Sequence, residues 1–373
     1  MTHRGLRPQS DSNNRPEGYS RAISPVTETT TTCSLTRASR PGISILVKAL
    51  NEEEKIRDCL DAAVREAKLL DGEVILVDSL SHDRTVEIAL SYDGIRIVQF
   101  SEVRHCGCGS AVQLGYQFAR GEFLYVLDAD MVLEPGFLSD ALALLRENPT
   151  LAGVGGKWID TRVKTVADAK RLAAAKSQLV NIYVQELGGG GLYRSEAIES
   201  VGYLAHRELP AYEEAELGAR LIAKGWKLMR IPQTAVWHTG HDETTLQMLR
   251  RSWKNRRAHA HGILLRDSLW KPWGSQIRRK MWFVLAVPAL HLAGFIIGIA
   301  LTSLSMGFLW EMALIVDFLL WIAISLGLII TKRSVSQALY SILSWHWFAV
   351  AAAIGALKPV RDPRIEIPAR VIR

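Results

Sequence analysis

The sequence contains little cysteine: four residues in 373, with no C-x-x-C pair. So few cysteines exclude a disulfide-stapled scaffold. Cys106 and Cys108 lie one residue apart but lack the further ligands of a tetrahedral zinc site, so we interpret both as packing or loop residues. The absence of a disulfide framework favours a reducing compartment.

The first 41 residues contain no apolar run and are rich in Ser, Thr, Arg and Pro. A segment of this composition cannot bury enough surface to fold, which predicts a disordered tail over residues 1–41. It also has no apolar core of a signal peptide.

The net charge of +7 is distributed unevenly along the chain. Residues 43–246 hold 22 basic and 30 acidic residues, whereas residues 247–280 hold ten basic and one acidic. We call residues 247–280 the basic belt. Because the belt contains three Trp residues and directly precedes an apolar stretch, we expect it to bind anionic lipid headgroups and not nucleic acid.

From Gly42 onward, short runs rich in Val and Ile alternate with amphipathic stretches. The strand-like runs are GISILVKAL, EVILVDS, IRIVQF and EFLYVLDAD. This alternation, from Gly42 to Asp130, predicts a parallel sheet within an α/β domain that we place at residues 42–246. Ligands bind at the carboxyl ends of such strands, so the residues that follow each run are candidates for binding.

Three long apolar stretches cover residues 281–357, at 281–301, 308–330 and 335–357. The first two are long enough to span a bilayer, provided that Glu311 and Asp317 face protein or water. The third stretch, which contains Ser, Gln, His and Trp, fits either a span or a segment at the membrane interface.

The basic residues around these stretches predict their orientation. Arg278, Arg279 and Lys280, like Lys332 and Arg333, belong in the cytoplasm by the positive-inside rule, which makes the preceding domain cytoplasmic. Three full spans would place the basic C-terminal tail, residues 358–373, outside, against the same rule. The third stretch is therefore interfacial, re-entrant or a span that violates the positive-inside rule.

Asp128 and Asp130 end a strongly apolar strand and project two carboxylates from the ligand edge of the sheet. Such a pair can hold a hard divalent cation, with a diphosphate supplying further oxygens. Taken alone, an acidic pair after a strand is more often a solvated turn.

The chain resembles the family 2 glycosyltransferases of the GT-A fold from about Ser44 to His238. Five blocks occur in the family's order: SILVKALNEEEKIRDCLDAA, EVILVDSLSHDRT, GSAVQLGYQFARGEFLYVLDAD, GGGGLYRSEAI and AYEEAELGARLIAKGWKLMRIPQTAVWH. Where the family often has Glu-Asp, this chain has Glu213-Glu214. The resemblance implies a Rossmann-like GT-A domain followed here by transmembrane helices.

The resemblance also implies roles for individual residues. It assigns the nucleotide base and ribose to Asn51, Glu52, Asp78 and Ser81. Asp128 would face the ribose or the metal, Asp130 would bind Mg²⁺ or Mn²⁺, and His238 would complete the metal site, with His241 as a competing candidate. Glu214 would be the catalytic base beside Glu213, although a solvated first helical turn is the simpler interpretation of an isolated acidic pair.

The expected function is that of an inverting glycosyltransferase, anchored in the inner membrane as a multi-pass protein. It would transfer a sugar from a nucleotide-diphosphate sugar to a lipid-linked saccharide at the cytoplasmic face. A polyprenyl phosphate acceptor is an alternative, as is a non-catalytic membrane scaffold. Two or three helices disfavour a channel-forming polymer synthase, and LNEEEK after the first strand argues against a dinucleotide site.

The belt contains one further candidate motif. Gln247 and the basic residues after it faintly resemble the Q-x-x-R-W element of processive glycosyltransferases, but the tryptophan falls at Trp253. This departure leaves the role of Gln247 open.

Overall fold

The computed structural model describes residues 41–240, 243–302 and 309–373. The tail predicted at 1–41 lies outside these residues except for Pro41, and so does His241.

The first part of the chain has the predicted alternation of strands and helices. The elements are β1 (Ile43–Ala49), α1 (Ile56–Leu69), β2 (Glu73–Asp78), α2 (Thr85–Leu90), β3 (Ile95–Phe100), α3 (Cys108–Phe118) and β4 (Phe123–Asp128). Their four strands are parallel in the order β3-β2-β1-β4. Their Val, Ile and Leu side chains are buried, with α1 packed on one face of the sheet and α3 on the other.

The second part continues the same sheet in the order β8-β6-β9-β5, with β7 also paired to β9. The elements are β5 (Met131–Leu133), α4 (Phe137–Glu147), β6 (Leu151–Asp160), α5 (Val166–Ser177), β7 (Ile182–Val184), β8 (Gly191–Arg194), α6 (Ser195–Val201), α7 (Glu213–Ala223) and β9 (Lys227–His238).

The sheet is mixed in this second part. Strand β8 runs antiparallel to β4 and β6, and β5 and β7 run antiparallel to β9, whereas β6 and β9 are parallel. The parallel arrangement predicted for residues 42–130 is confirmed by β1 to β4.

The belt and the apolar stretches are helical. They form α8 (Thr245–Lys254), α9 (Ala260–Asp267), α10 (Gly274–Lys280), α11 (Trp282–Thr302), α12 (Leu309–Lys332) and α13 (Val335–Ala356). Each of the last three is long and apolar enough to cross a membrane. Gln247 caps α8, because its side chain accepts a hydrogen bond from the Thr244 backbone N–H at 2.7 Å.

Helices α11 and α12 form an antiparallel hairpin in which Gly294 lies against Asp317 and Gly298 against Ala313. The Asp317 carboxylate contacts His291 Nδ1 at 2.9 Å, so it faces protein as expected. Beyond α13 the chain forms a last strand, β10 (Ala369–Val371), which pairs antiparallel with β3. The basic tail of residues 358–373 thus contributes an edge strand to the sheet.

Candidate active site

Lys48, in β1, connects the two acidic pairs of the sequence. Its Nζ lies 2.9 Å from Asp128 Oδ1 and 3.3 Å from Glu213 Oε1. Burial alone would lower the pKa of Lys48, but the charges of Asp128 and Glu213 raise it well above its usual range. The sheet edge and the start of α7 therefore meet across one permanently charged ammonium group.

Glu213 and Glu214 begin α7 beside this lysine. Glu213 is only 5% exposed, which argues against the interpretation of this pair as a solvated first turn. Burial and the charge of Glu213 raise the pKa of Glu214 to about 7. The backbone N–H of Glu214 itself donates a hydrogen bond to the carboxylate, but no other side chain in the described ranges does so. Glu214 can therefore accept a proton near neutral pH.

The glycine-rich loop before β8 lies next to these glutamates. Gly188 and Gly190 adopt left-handed backbone conformations, with φ of +74° and +79°. Gly188 lines a small cavity together with both glutamates; the other lining residues are Val112, Val126, Tyr193, Leu204, Ala205 and Leu217. The loop thus brings backbone close to Glu214, where side chains would be strained.

Asp130, His238 and Asp160 form a second group at the opposite side of the sheet edge. His238 Nδ1 lies 2.7 Å from Asp160 Oδ1, and its Nε2 lies 3.1 Å from Asp130 Oδ2. Burial alone would lower the pKa of His238, but the hydrogen bonds with Asp130 and Asp160 raise it. Asp160, which is 4% exposed and which sequence reasoning missed, fixes the orientation of the imidazole.

The side chains here are of the types that bind a hard divalent cation. Asp130 and Asp128 could supply carboxylate oxygens and His238 an imidazole nitrogen, with Asp160 as the carboxylate behind the histidine. No cluster of three such side chains has metal-binding geometry within the described ranges. A substrate diphosphate would therefore have to complete the coordination.

The residues expected to bind the nucleotide lie in two adjoining loops. Ser81 Oγ accepts a hydrogen bond from the Asn51 N–H at 2.9 Å, and Asn51 Oδ1 accepts one from the His82 N–H at 2.8 Å. Asp78 is fully buried and accepts hydrogen bonds from the Leu80 N–H and Gln99 Nε2. Asp78 therefore organises the loop after β2 and is not a helix N-cap.

Glu52, in the loop after β1, and Asp83, in the loop after β2, have different surroundings. Burial and the charge of Asp130 raise the pKa of Glu52 to about 6, so Glu52 lies close to the metal-binding candidates. Asp83 accepts hydrogen bonds from the N–H groups of Glu53 and Thr85, which is a capping role.

Arg257, from the belt, also reaches this site, and nothing in the sequence distinguishes it from the other basic residues of the belt. Its Nη1 lies 3.5 Å from Cys108 Sγ, and its side chain remains exposed. Within the described part of the chain no carboxylate lies within ion-pair distance of Arg257. An exposed cation beside the site can contact an anionic ligand.

A hydrogen bond from Tyr212 connects the start of α7 to the belt. Tyr212 has φ of +68°, a strained conformation for a residue with a side chain. Its hydroxyl lies 3.1 Å from His261 Nε2, while His261 Nδ1 donates to the Ala258 carbonyl at 2.9 Å. Burial lowers the pKa of His261 to about 4, so the neutral imidazole accepts from Tyr212.

Glu216 and Arg220, from the same predicted block, are structural. The Glu216 carboxylate is fully buried and pairs with both Nε and Nη2 of Arg220, at 2.7 and 2.8 Å. Tyr203 Oη donates to the same carboxylate. Because Tyr203 lies in the loop after α6 and its carbonyl also accepts a hydrogen bond from Arg220 Nη1 at 2.8 Å, these contacts hold α7 against that loop.

Comparisons with known proteins bear on the family and the fold of this chain. The sequence model described as "Glycosyl transferase family 2" matches residues 44–192, and that described as "Glycosyl transferase family group 2" matches residues 123–357. The mannosyltransferase PcManGT from Pyrobaculum calidifontis, solved with GDP-Man and Mn²⁺, shares the fold with a TM-score of 0.52 at 18% identity. The match covers 85% of this chain and 87% of that one.

Two curated relatives are more similar in sequence. The poly-beta-1,6-N-acetyl-D-glucosamine synthase of Staphylococcus epidermidis is 26% identical over 246 residues, covering 61% of this chain and 56% of that protein. The undecaprenyl-phosphate 4-deoxy-4-formamido-L-arabinose transferase of Pseudomonas paraeruginosa is 28% identical over 159 residues, covering 40% and 44%. The chain thus spans about half the length of the curated relatives that it matches. With one family model covering more than half of its residues, the chain belongs to the family 2 glycosyltransferases, with a GT-A fold followed by apolar helices.

Proposed function

We propose that this chain transfers a sugar, with inversion, from a nucleotide-diphosphate sugar to a hydroxyl group of a lipid-linked saccharide. The proposal depends mainly on the raised pKa of Glu214, which is about 7 at the start of α7. A neutral hydroxyl needs a base as it attacks, and a base works best when its pKa lies near the working pH.

In the proposed transfer, Glu214 of this chain accepts the proton that the acceptor loses. Glu214 takes the proton of the acceptor hydroxyl while the hydroxyl oxygen forms a bond to the anomeric carbon. The bond from that carbon to the phosphate oxygen breaks, and its electron pair leaves with the nucleoside diphosphate. Attack from the side opposite the leaving group inverts the configuration.

The donor would lie along the carboxyl ends of β1, β2 and β4. The loops of Asn51, Glu52, Asp78 and Ser81 would hold the base and ribose. Asp130 and His238 would hold Mg²⁺ or Mn²⁺ with Asp128 nearby, and the bound ion would neutralise charge on the departing diphosphate. Lys48 pairs with both Asp128 and Glu213 and so holds the two carboxylates in place.

The membrane setting supports a lipid-linked acceptor. Helices α11 and α12 follow the belt directly, and the belt contributes both Arg257 and His261 to the surroundings of the site. The basic residues at 278–280 and 332–333 favour a cytoplasmic catalytic domain in an inner membrane. The names of the two curated relatives include a polysaccharide synthase and an undecaprenyl-phosphate transferase.

A polyprenyl phosphate is the second candidate acceptor, and Arg257 favours it. This exposed guanidinium beside the site could pair with an acceptor phosphate. Because a phosphate oxygen is already an anionic nucleophile, transfer to it would need no base at Glu214.

The test uses the full chain in nanodiscs with labelled nucleotide sugars, Mn²⁺ and bacterial lipid extract. Glu214→Gln is compared with Glu147→Gln, an exposed glutamate at the end of α4. We expect Glu214→Gln to reduce transfer by about 10²- to 10⁴-fold and Glu147→Gln to leave it unchanged.

Two outcomes would contradict the leading proposal. Full activity of Glu214→Gln on a hydroxyl acceptor would remove Glu214 as the base, and unchanged transfer to polyprenyl phosphate in that variant would favour the second acceptor. A folded wild-type chain that neither binds nor turns over any donor would indicate a scaffold.

A further inference from the structure

The C-terminal residues return to the catalytic domain. Strand β10 pairs with β3, and the Ile372 N–H donates to the Ile97 carbonyl at 2.8 Å. Arg207 Nη1 donates to the Ile365 carbonyl at 2.7 Å, and Ile367 is buried. The end of the chain therefore lies on the same side of the membrane as the sheet.

This return restricts how the apolar helices cross the bilayer. A chain that leaves the catalytic side and ends on that side must cross the membrane an even number of times. Helices α11 and α12 pack as an antiparallel hairpin and account for two crossings. A third crossing by α13 would leave β10 on the wrong side.

The contacts of α13 place it at the base of this hairpin. Trp345 and Phe348 pack on Trp282 and Phe283, which are the first two residues of α11. The C-terminal part of α13 packs on the belt so closely that a methyl group added at Gly262 would collide with the Ala352 carbonyl. The middle and the end of α13 thus lie near the catalytic domain.

The two faces of α13 differ in side-chain size and exposure. The face toward the protein carries small buried residues: Ala338, Ser341, Ser344, Ala351 and Ala352. The other face carries an apolar stripe, which we define as Leu339, Leu343, Val350, Ile354 and Leu357, with exposures between 40% and 85%. Their spacing of three, four and seven residues places them on one side of the helix.

A polar contact fixes α13 across the hairpin. His346 Nε2 lies 3.1 Å from His291 Nε2 on α11, and His291 in turn contacts Asp317 on α12. This chain of contacts connects all three helices. It also keeps His291, Asp317 and His346 paired with one another and away from lipid.

We propose that α13 lies in the plane of the leaflet that faces the catalytic domain, with its apolar stripe inserted among the lipid chains. Only α11 and α12 then cross the bilayer. The occupant of the stripe is lipid, because the stripe is continuous with the two spanning helices and adjoins the basic belt. The proposal does not depend on the reaction proposed above.

Depth-dependent fluorescence quenching tests this arrangement. Single cysteines replace Leu339, Leu343, Val350 or Ile354 in the full chain, with Cys33, Cys106 and Cys108 changed to Ala and the fully buried Cys59 retained. Each is labelled with an environment-sensitive fluorophore. The chain is placed in phosphatidylethanolamine/phosphatidylglycerol vesicles containing lipids brominated at shallow or deep acyl positions.

The expected result is one shallow depth for all four positions. A spanning helix would instead change depth by up to about 22 Å between residues 339 and 354, at 1.5 Å per residue. Matched positions on α12, Leu314, Ile322 and Ile330, are similarly exposed and should be deepest at Ile322. If the α13 profile also reached the bilayer centre while α12 behaved as expected, the proposal would be overturned.

A fluorescent-protein fusion after Arg373 provides an independent readout in cells. The fusion should fluoresce, because its reporter folds only in the cytoplasm and the in-plane arrangement keeps Arg373 on the side of the catalytic domain. Activity of an alkaline phosphatase fusion at the same position, which requires export, would contradict the in-plane arrangement.

Discussion

The two sides of the site are built from the same residue types but are held differently. On the metal side, Asp130 and Asp160 both contact His238, and Asp160 also pairs with Arg171 at 2.9 Å. On the base side, Glu213 pairs with Lys48, while Glu214 forms no ion pair or hydrogen bond with another side chain in the described ranges. Burial and the charge of Glu213 raise the pKa of Glu214 to about 7, so Glu214 can exchange a proton near neutral pH.

The supporting elements differ as well. His238 ends β9 and pairs with Met131, the first residue of β5, and Asp130 is the turn residue directly before Met131. Glu214 lies on a helix whose preceding residue, Tyr212, is tied to the belt. The metal side is therefore rigid, and the base side is coupled to the membrane-proximal segment. Substitutions on the two sides should therefore differ in their effects.

Removing the carboxylate of Asp130 should have the largest effect. We expect Asp130→Ala to lower Mn²⁺-dependent transfer by about 10²- to 10³-fold, because charge on the leaving diphosphate loses its electrostatic support. Asp58→Ala on the exposed face of α1 is the control. The same loss should follow when the wild-type enzyme is treated with a chelator. Activity that survives both treatments would show a metal-independent reaction.

Changing the carboxylate behind His238 should have a smaller effect, which added Mn²⁺ should reverse. Asp160→Asn is expected to raise the Mn²⁺ concentration needed for half-maximal activity about 10- to 100-fold, because His238 loses its orienting partner. Asp168→Asn is a matched control, since Asp168 also pairs with Arg171 but does not contact His238. Equal effects of both changes would assign the loss to Arg171.

The charges around Glu214 should shift the pH profile in opposite directions. Because the ionised form of Glu214 is the base, transfer should fall as the pH drops below about 7. Glu213→Gln removes a like charge and should move this limb to lower pH, whereas Lys48→Met removes an opposite charge and should move it higher, each by about one pH unit. Shifts of the same sign would contradict the assignment of the limb to Glu214.

Weakening the connection between α7 and the belt should have the smallest effect. Tyr212→Phe removes the hydrogen bond to His261 and should lower the free energy of unfolding by about 1 kcal/mol, measured by thermal denaturation in detergent. Tyr92→Phe provides a control, since its hydroxyl bonds Asp61 on the exposed surface. No difference between the two variants would argue against a special role for Tyr212.

The parallel half of the sheet was predictable because its strands are largely apolar runs separated by helices. Ile43–Ala49, which is followed by α1, shows this pattern plainly. The mixed half was not, because short segments such as β8 and β10 have no distinctive periodicity and depend on partners far away in the sequence.

The candidate site divides in the same way. Asp130, His238, Glu213 and Glu214 stand in motifs that can be read from the sequence. Asp160 and Arg257 cannot be found this way, because an acidic residue at a strand end and one arginine among ten basic residues carry no local signal.

The family, the alternating α/β start, the acidic motifs and the three apolar helices can be predicted from the sequence, since each depends on residues close together in the chain. The contacts between distant groups are visible only in the folded structure: Lys48 between Asp128 and Glu213, Asp160 behind His238, and β10 beside β3. Hydrophobic periodicity determines local structure, but partners separated by tens to hundreds of residues are chosen by the packing of the whole sheet and its helices.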